Sequence, residues 1–123
     1  MIRALICQPM VRTLFWMMCV AVLVGALLPQ SDTPHTFALA DKVVHTAAFT
    51  ALTTVGLRAY PQYPLIVCFL LITLGGLIEV FQGYTSSRSQ ELADFCADIM
   101  GVMLGLFTYQ LIIRVRRQYV TRK

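Results

Sequence analysis

Charged residues are scarce in this chain. Only 13% of its 123 residues are Asp, Glu, Lys or Arg, and 58% are hydrophobic, whereas roughly 25% of the residues of a soluble domain are charged. Ten basic and six acidic side chains are too few to cover the surface of so apolar a globule with groups that water solvates. The shortage of charge excludes a soluble domain and a disordered segment, and it indicates a single-domain membrane protein.

Cysteine pairs, internal repeats and alternating apolar segments are also lacking. The four cysteines are scattered without a CxxC pair and without a histidine at metal-ligand spacing, which argues against a disulfide framework or a local zinc motif. The apolar segments are long and unbroken, whereas the strands of a membrane barrel alternate in polarity over about ten residues. The sequence therefore predicts an all-α fold.

Long apolar segments occur at four places in the chain. A bilayer core of about 30 Å needs about 20 helical residues, and each segment is long enough to cross once; they lie at about 11–28, 42–60, 64–81 and 89–113. The second is the least apolar, because it carries His45 and several threonines. We expect one domain over residues 1–123, built as a bundle of four transmembrane helices, with the first segment retained rather than cleaved as a signal peptide.

The basic residues predict the orientation of this bundle. With four crossings, eight of the ten fall on one side of the membrane: Arg3, Arg12, Arg58, Arg114, Arg116, Arg117, Arg122 and Lys123. Because short cytoplasmic connections are rich in Lys and Arg, both termini are expected in the cytoplasm. The basic tail, residues 114–123, is expected to lie on anionic lipid headgroups rather than on nucleic acid.

The acidic residues and both histidines collect at the opposite side. Residues three and four apart share one face of a helix, and three rows of this kind join polar residues to small ones: Asp41, His45, Ala48 and Leu52; Gly75, Glu79 and Gln82; Asp94, Asp98, Gly101 and Gly105. Small residues allow helix backbones to approach closely in a membrane. We therefore expect three helices to pack along these rows and to direct their polar ends at one another.

The order and spacing of these residues resemble the VanZ-like family of small bacterial membrane proteins. The resemblance covers roughly residues 41–105, and its motifs are Asp41-Lys42-x-x-His45-x-x-x-Phe49, Gly76-x-Ile78-Glu79-x-x-Gln82, and Arg88-x-x-Glu91-x-x-Asp94-x-x-x-Asp98-x-x-Gly101-x-x-x-Gly105. Many members of the family carry Asn where this chain has Asp98. The four-helix plan also agrees with the family.

The resemblance implies a setting rather than a reaction. The family takes its name from a protein that gives bacteria resistance to the glycopeptide teicoplanin, so the expected location is the bacterial cytoplasmic membrane and the expected context is antibiotic resistance or envelope lipid chemistry. Its pattern covers six of the candidate site residues: Asp41, His45, Glu79, Gln82, Arg88 and Asp94.

Two classes of function are open at this point. In the first, the polar residues bind or act on a lipid-linked envelope intermediate such as a polyprenyl phosphate. Glu79, His45 and Asp94 are then the candidate catalytic groups, because imidazole and carboxylate groups exchange protons near neutral pH. The candidate substrate-binding residues are Arg88, as a bidentate phosphate donor, with Asp41, Gln82 and Asp98.

In the second class the protein is a non-enzymatic accessory protein, and the same residues only cap helices and join them. Asp41 lies where a helix N-cap is expected, and Gln82 is of a type that often links transmembrane helices. A divalent metal held by His45, Glu79, Asp94 and Asp98 is a further alternative, although the sequence has no compact metal motif.

Overall fold

The computed structural model describes residues 2–28, 38–84 and 92–121, with side chains described over 7–28, 39–84 and 92–120. Over these ranges the chain is all α and forms four helices: α1 (Ile2–Leu27), α2 (Ala38–Ala59), α3 (Pro64–Gly83) and α4 (Leu92–Thr121). The all-α expectation is confirmed for the part of the chain that is described.

Three of these four helices are long and apolar enough to cross a membrane: Cys7–Leu27, Pro64–Gly83 and Leu92–Val120. The protein therefore has the helices of a membrane protein and suits a lipid bilayer environment. At 22 residues α2 is equally long, but its polar side chains lower its mean hydropathy. Crossing by α2, and hence a bundle of four spans, stays a prediction.

The first and last helices of the chain are longer than the apolar segments from which they were predicted. α1 begins at Ile2 rather than near residue 11 and continues through Pro9. α4 extends to Thr121, through most of the segment that was expected to be a separate basic tail, because arginine is a good helix former. Its predicted start near residue 89 lies outside the described ranges. At 1.5 Å per residue, the 30 residues of α4 extend about 45 Å, well beyond a hydrocarbon core of about 30 Å.

α2 is the central helix, and it packs against each of the other three. It runs antiparallel to α1, since its first turns line a cavity with the end of α1 while Ala59, at its last turn, accepts a bond from Arg12. It runs parallel to α4, because Thr46 bonds the carbonyl of Ala97 and Thr50 that of Gly101. The polar ends of α2 and α4 therefore lie at the same end of the bundle.

Glycines and threonines set the close contact between α2 and α4. A Cβ atom on Gly101 would lie 2.6 Å from the carbonyl oxygen of Thr46, and one on Gly105 would lie 2.5 Å from Cβ of Thr53. At this separation the hydroxyl of Thr50 lies 3.2 Å from the carbonyl oxygen of Gly101. Thr54 makes a longer contact of the same kind, 3.5 Å, with Gly105. The glycines bring the backbones together, and the threonines then satisfy hydrogen-bonding groups inside the bundle.

The opposite end of the bundle is held by side chains of α1. Gln8 and Arg12 donate to the carbonyl of Ala59 at 3.3 Å, where the end of α2 leaves carbonyl groups without intrahelical partners. The Arg12 guanidinium lies 5.0 Å from the centre of the Tyr60 ring, whose hydroxyl accepts a bond from Trp16. The guanidinium of Arg12 thus lies at this end, away from the acidic residues.

Candidate functional site

A buried imidazole–carboxylate pair joins α2 to α4. His45 Nδ1 lies 2.8 Å from Oδ1 of Asp98, with His45 only 8% exposed and Asp98 completely buried. An ionised carboxylate only accepts hydrogen bonds, so with Asp98 ionised, Nδ1 of a neutral His45 carries the proton and Nε2 keeps its lone pair. The contact thereby sets both the orientation and the tautomer of the imidazole.

Two further carboxylates surround the same histidine. Asp41 lies one turn before His45 on α2, and Asp94 lies one turn before Asp98 on α4. One potential ligand atom from each of Asp41, His45 and Asp94 lies within 4.8 Å of the other two. Lys42 Nζ lies 3.4 Å from Oδ1 of Asp94 and supplies a positive charge at the edge of the group.

The group borders a cavity of about 260 Å³ between α1 and α2. The α1 wall consists of Val22, Gly25 and Ala26. On the α2 side, Asp41 and His45 line the cavity together with apolar residues such as Phe49. The cavity is therefore amphiphilic, with two ionisable side chains at one end and hydrocarbon or small residues elsewhere.

The α3 residues of the predicted site occupy different surroundings. A Cβ atom on Gly75 would lie 2.8 Å from Oδ2 of Asp98, so the missing side chain makes room for the buried carboxylate. Glu79, one turn later, is 6% exposed but does not belong to the ligand group around His45. Gln82 donates from Nε2 to the carbonyl of Ala26 at 2.8 Å, which satisfies a group in the last turn of α1.

The structure therefore brings together five of the predicted residues, four with ionisable side chains: Asp41, His45, Gly75, Asp94 and Asp98. It places Gln82 in a link between α3 and α1 rather than beside the histidine. Arg88, the predicted phosphate donor, lies outside the described residues. The predicted metal set also changes, because Asp41 joins His45 and Asp94, Asp98 bonds the histidine, and Glu79 lies outside the group.

Comparison with known proteins gives no further assignment: no family model matches the chain, and no curated protein or solved structure matches it significantly. The case for a site consequently depends on this chain's own residues.

Two features of the site were not predicted from the sequence. Lys42 was given no partner and no role in the predicted site, yet it pairs with Asp94. Thr46, Thr50 and Thr54 were treated only as a weakness of the second segment, yet they contact carbonyl groups of α4. Their spacing of four residues equals that of Ala97, Gly101 and Gly105, and this shared period was the available signal.

The arrangement has the parts needed for proton transfer or for binding a cation. A histidine held by a carboxylate and bordering a cavity can accept or donate a proton through its second nitrogen. The carboxylates of Asp41 on α2 and of Asp94 and Asp98 on α4 concentrate negative charge around the histidine. An anionic ligand can approach only if a cation offsets that charge, and in the described part of the site Lys42 is the nearest one.

Proposed function

We propose that this protein is a VanZ-like multi-pass membrane protein that binds, and acts on, a lipid-linked cell-envelope intermediate at the polar end of its bundle. The observation that carries the proposal is the amphiphilic cavity between α1 and α2, where Asp41 and His45 stand beside apolar walls. A lipid with a polar headgroup presents this same combination of surfaces.

The size of the cavity favours one part of a lipid. Pockets that enclose a drug-sized ligand measure roughly 300–1,000 Å³, whereas this cavity measures about 260 Å³. It therefore accommodates the junction between headgroup and chain, while the rest of the chain extends along exposed apolar side chains such as Val24 and Val44. A polyprenyl phosphate has the required form, with Lys42 and Arg88 as the cations that meet its phosphate.

In the proposed orientation all four helices cross the bacterial cytoplasmic membrane, and both termini lie in the cytoplasm. The polar end then faces outwards, where envelope precursors and glycopeptide antibiotics meet. The basic end of α4, with Arg114 and Arg116, lies at the inner face on anionic lipid headgroups. A link to teicoplanin resistance belongs to the same proposal.

The test is to identify the lipids that copurify with the protein and to block the cavity. Among the described residues, no atom outside the adjacent backbone of α1 lies within 4 Å of a Cβ atom built on Gly25, which lines the cavity. Gly25→Phe should therefore fill the cavity without a clash against the described backbone. Gly25→Ala is the matched control. Mass spectrometry should find a polyprenyl-phosphate species enriched in the wild type and in Gly25→Ala, and reduced at least tenfold in Gly25→Phe.

A second candidate is a non-enzymatic accessory protein, and the bridge between His45 and Asp98 favours it, because a buried pair between two helices also serves to hold them together. Ordinary phospholipid alone in all three preparations would support this candidate and overturn the lipid-intermediate proposal. Melting temperatures of the variants are measured in parallel, so that loss of lipid is compared only between folded proteins.

A further inference from the structure

In the described part of the chain, Asp41, His45 and Asp94 form a cluster of potential metal ligands. Its three potential ligand atoms, one imidazole nitrogen and two carboxylate oxygens, lie within 4.8 Å of one another. Zinc and similar ions take this mixture of ligands, with three from the protein and the remaining position open to water or substrate. From these contacts we infer a binding site for one divalent transition-metal ion.

The bond between His45 and Asp98 is an independent observation that favours a metal. Histidines that bind metals usually donate their other ring N–H to a carboxylate, which fixes the tautomer and makes the ligating nitrogen more basic. Here Asp98 Oδ1 lies 2.8 Å from Nδ1, so Nε2 is the nitrogen left for the ion. Asp98 is fully buried, so water does not compete for this contact.

Asp94 provides the second independent observation. It is 7% exposed, and its Oδ1 is enclosed and makes no hydrogen bond among the described residues, although it forms an ion pair with Lys42. A buried carboxylate oxygen without a hydrogen bond is costly, and coordination to a cation reduces that cost. The nearest positive charge is Lys42 Nζ at 3.4 Å, beyond the distance of a good charge-assisted hydrogen bond of about 2.7–2.9 Å.

Lys42 and the metal therefore compete for the same carboxylate. The lysine side chain is 29% exposed, so it can turn outwards when the ion binds. Ligands of a tetrahedral ion stand roughly 3–3.5 Å apart, so the three side chains must move together from their present spacing of up to 4.8 Å when the ion binds. The cavity that Asp41 and His45 line gives the ion a path of entry.

The role of the ion deepens the proposed function and, in this respect, rests on it. A divalent cation at the edge of the cavity offsets the negative charge of the surrounding carboxylates and binds a phosphate oxygen of the lipid. Binding of the metal itself requires no lipid, so the two ideas are tested separately.

The experiment measures zinc bound to the full chain in detergent. All four cysteines are first replaced by serine, because Cys7 and Cys96 are exposed thiols that bind zinc on their own account. After loading with Zn²⁺ and desalting, elemental analysis should give one zinc per chain. Titration with Co²⁺ should give a visible absorption band that grows to saturation at the same stoichiometry.

Four variants distinguish a metal site from a structural cluster. Asp94→Asn and Asp41→Asn keep the shape of the side chain and should weaken zinc binding at least tenfold. Asp98 would act on the ion only through His45, so Asp98→Asn should weaken zinc binding about 10–100-fold. Lys42→Gln removes the competing cation and should strengthen binding, a gain that misfolding cannot imitate.

Zinc below one-tenth of an equivalent in the folded cysteine-free protein would overturn the inference, and so would unchanged affinity in Asp41→Asn, Asp94→Asn and Lys42→Gln. Stoichiometric zinc without a copurified polyprenyl phosphate would support the metal site while overturning the lipid proposal. The reverse result, lipid without metal, would overturn the metal site alone.

Discussion

At the scale of single residues, Asp98 is a completely buried carboxylate. One of its oxygens bonds His45, and the other is buried beside Gly75 without a hydrogen-bond donor among the residues described. Burial of a carboxylate is expensive unless its partners compensate. The bond to His45 is therefore important both for the stability of the bundle and for the orientation of the imidazole.

Replacement of Asp98 separates these two contributions. Asp98→Ala leaves the ring N–H of His45 buried without an acceptor, and the free energy of unfolding should fall by about 1–3 kcal/mol. Asp98→Asn keeps an oxygen acceptor in nearly the same position, so its free energy of unfolding should fall clearly less than that of Asp98→Ala. Unfolding of both variants in detergent measures the difference. Equal losses would mean that His45 finds another partner and that Asp98 does not orient it.

At the scale of the helices, the α2–α4 contact depends on residues without side chains. Gly101 and Gly105 meet backbone and Cβ atoms of α2, which have no freedom to move aside. The threonines hydrogen-bond to α4 only because the backbones approach so closely. The addition of one methyl group at Gly101 or Gly105 must therefore push the two helices apart.

Gly101→Ala tests this dependence with the smallest possible change. The new methyl group would lie 2.6 Å from the carbonyl oxygen of Thr46 and 2.7 Å from Cβ of Phe49, so we expect a loss of about 1–3 kcal/mol from overpacking. Gly25→Ala is the control, because its Cβ would meet no atom of the other described helices within 4 Å and alanine favours the helix by about 1 kcal/mol.

The measurement is the apparent melting temperature of each variant in the same detergent. Gly101→Ala should melt well below the wild type, and Gly25→Ala at or above it. A Gly101→Ala protein as stable as the control would show that α2 and α4 are not closely packed in the membrane protein, and the pairing of His45 with Asp98 would lose its support.

At the scale of the whole molecule, charge separates along the bundle. Arg12 and Arg58 lie near the end where α1 closes over α2, and Arg114 lies in the same direction along α4, which runs parallel to α2. Asp41, Asp94 and Asp98 collect at the other end. The positive-inside rule then predicts a cytoplasmic basic end.

Impermeant thiol labelling checks this orientation. In a chain whose four native cysteines are replaced by serine, a single Ser87→Cys substitution lies in the connection between α3 and α4, which we expect outside the cell. It should react with the reagent in intact cells. A reporter fused after Lys123 should be active only in the cytoplasm. Labelling that appears only after lysis would reverse the orientation and place the polar end inside.

Much of this architecture follows from the sequence alone. The scarcity of charge and the length of the apolar runs specify helices that can enter a bilayer, because both depend on local composition. The third helix begins at Pro64 as predicted. The rows containing His45 and Asp98 follow from helical periodicity, which is also local. These features need no knowledge of which helix packs against which.

The partners of each side chain were decided only by the tertiary structure. Periodicity gives the face on which a residue lies, but not the axial offset between two helices, and that offset sets His45 against Asp98 and Lys42 against Asp94. The separate packing of α3 against its neighbours places Gln82 at the end of α1 and leaves Glu79 outside the group around the histidine. The offset follows from the fit of Gly101 and Gly105 against the backbone of α2, a long-range contact between segments about 50 residues apart, and steric fit of that kind is not encoded in either segment by itself.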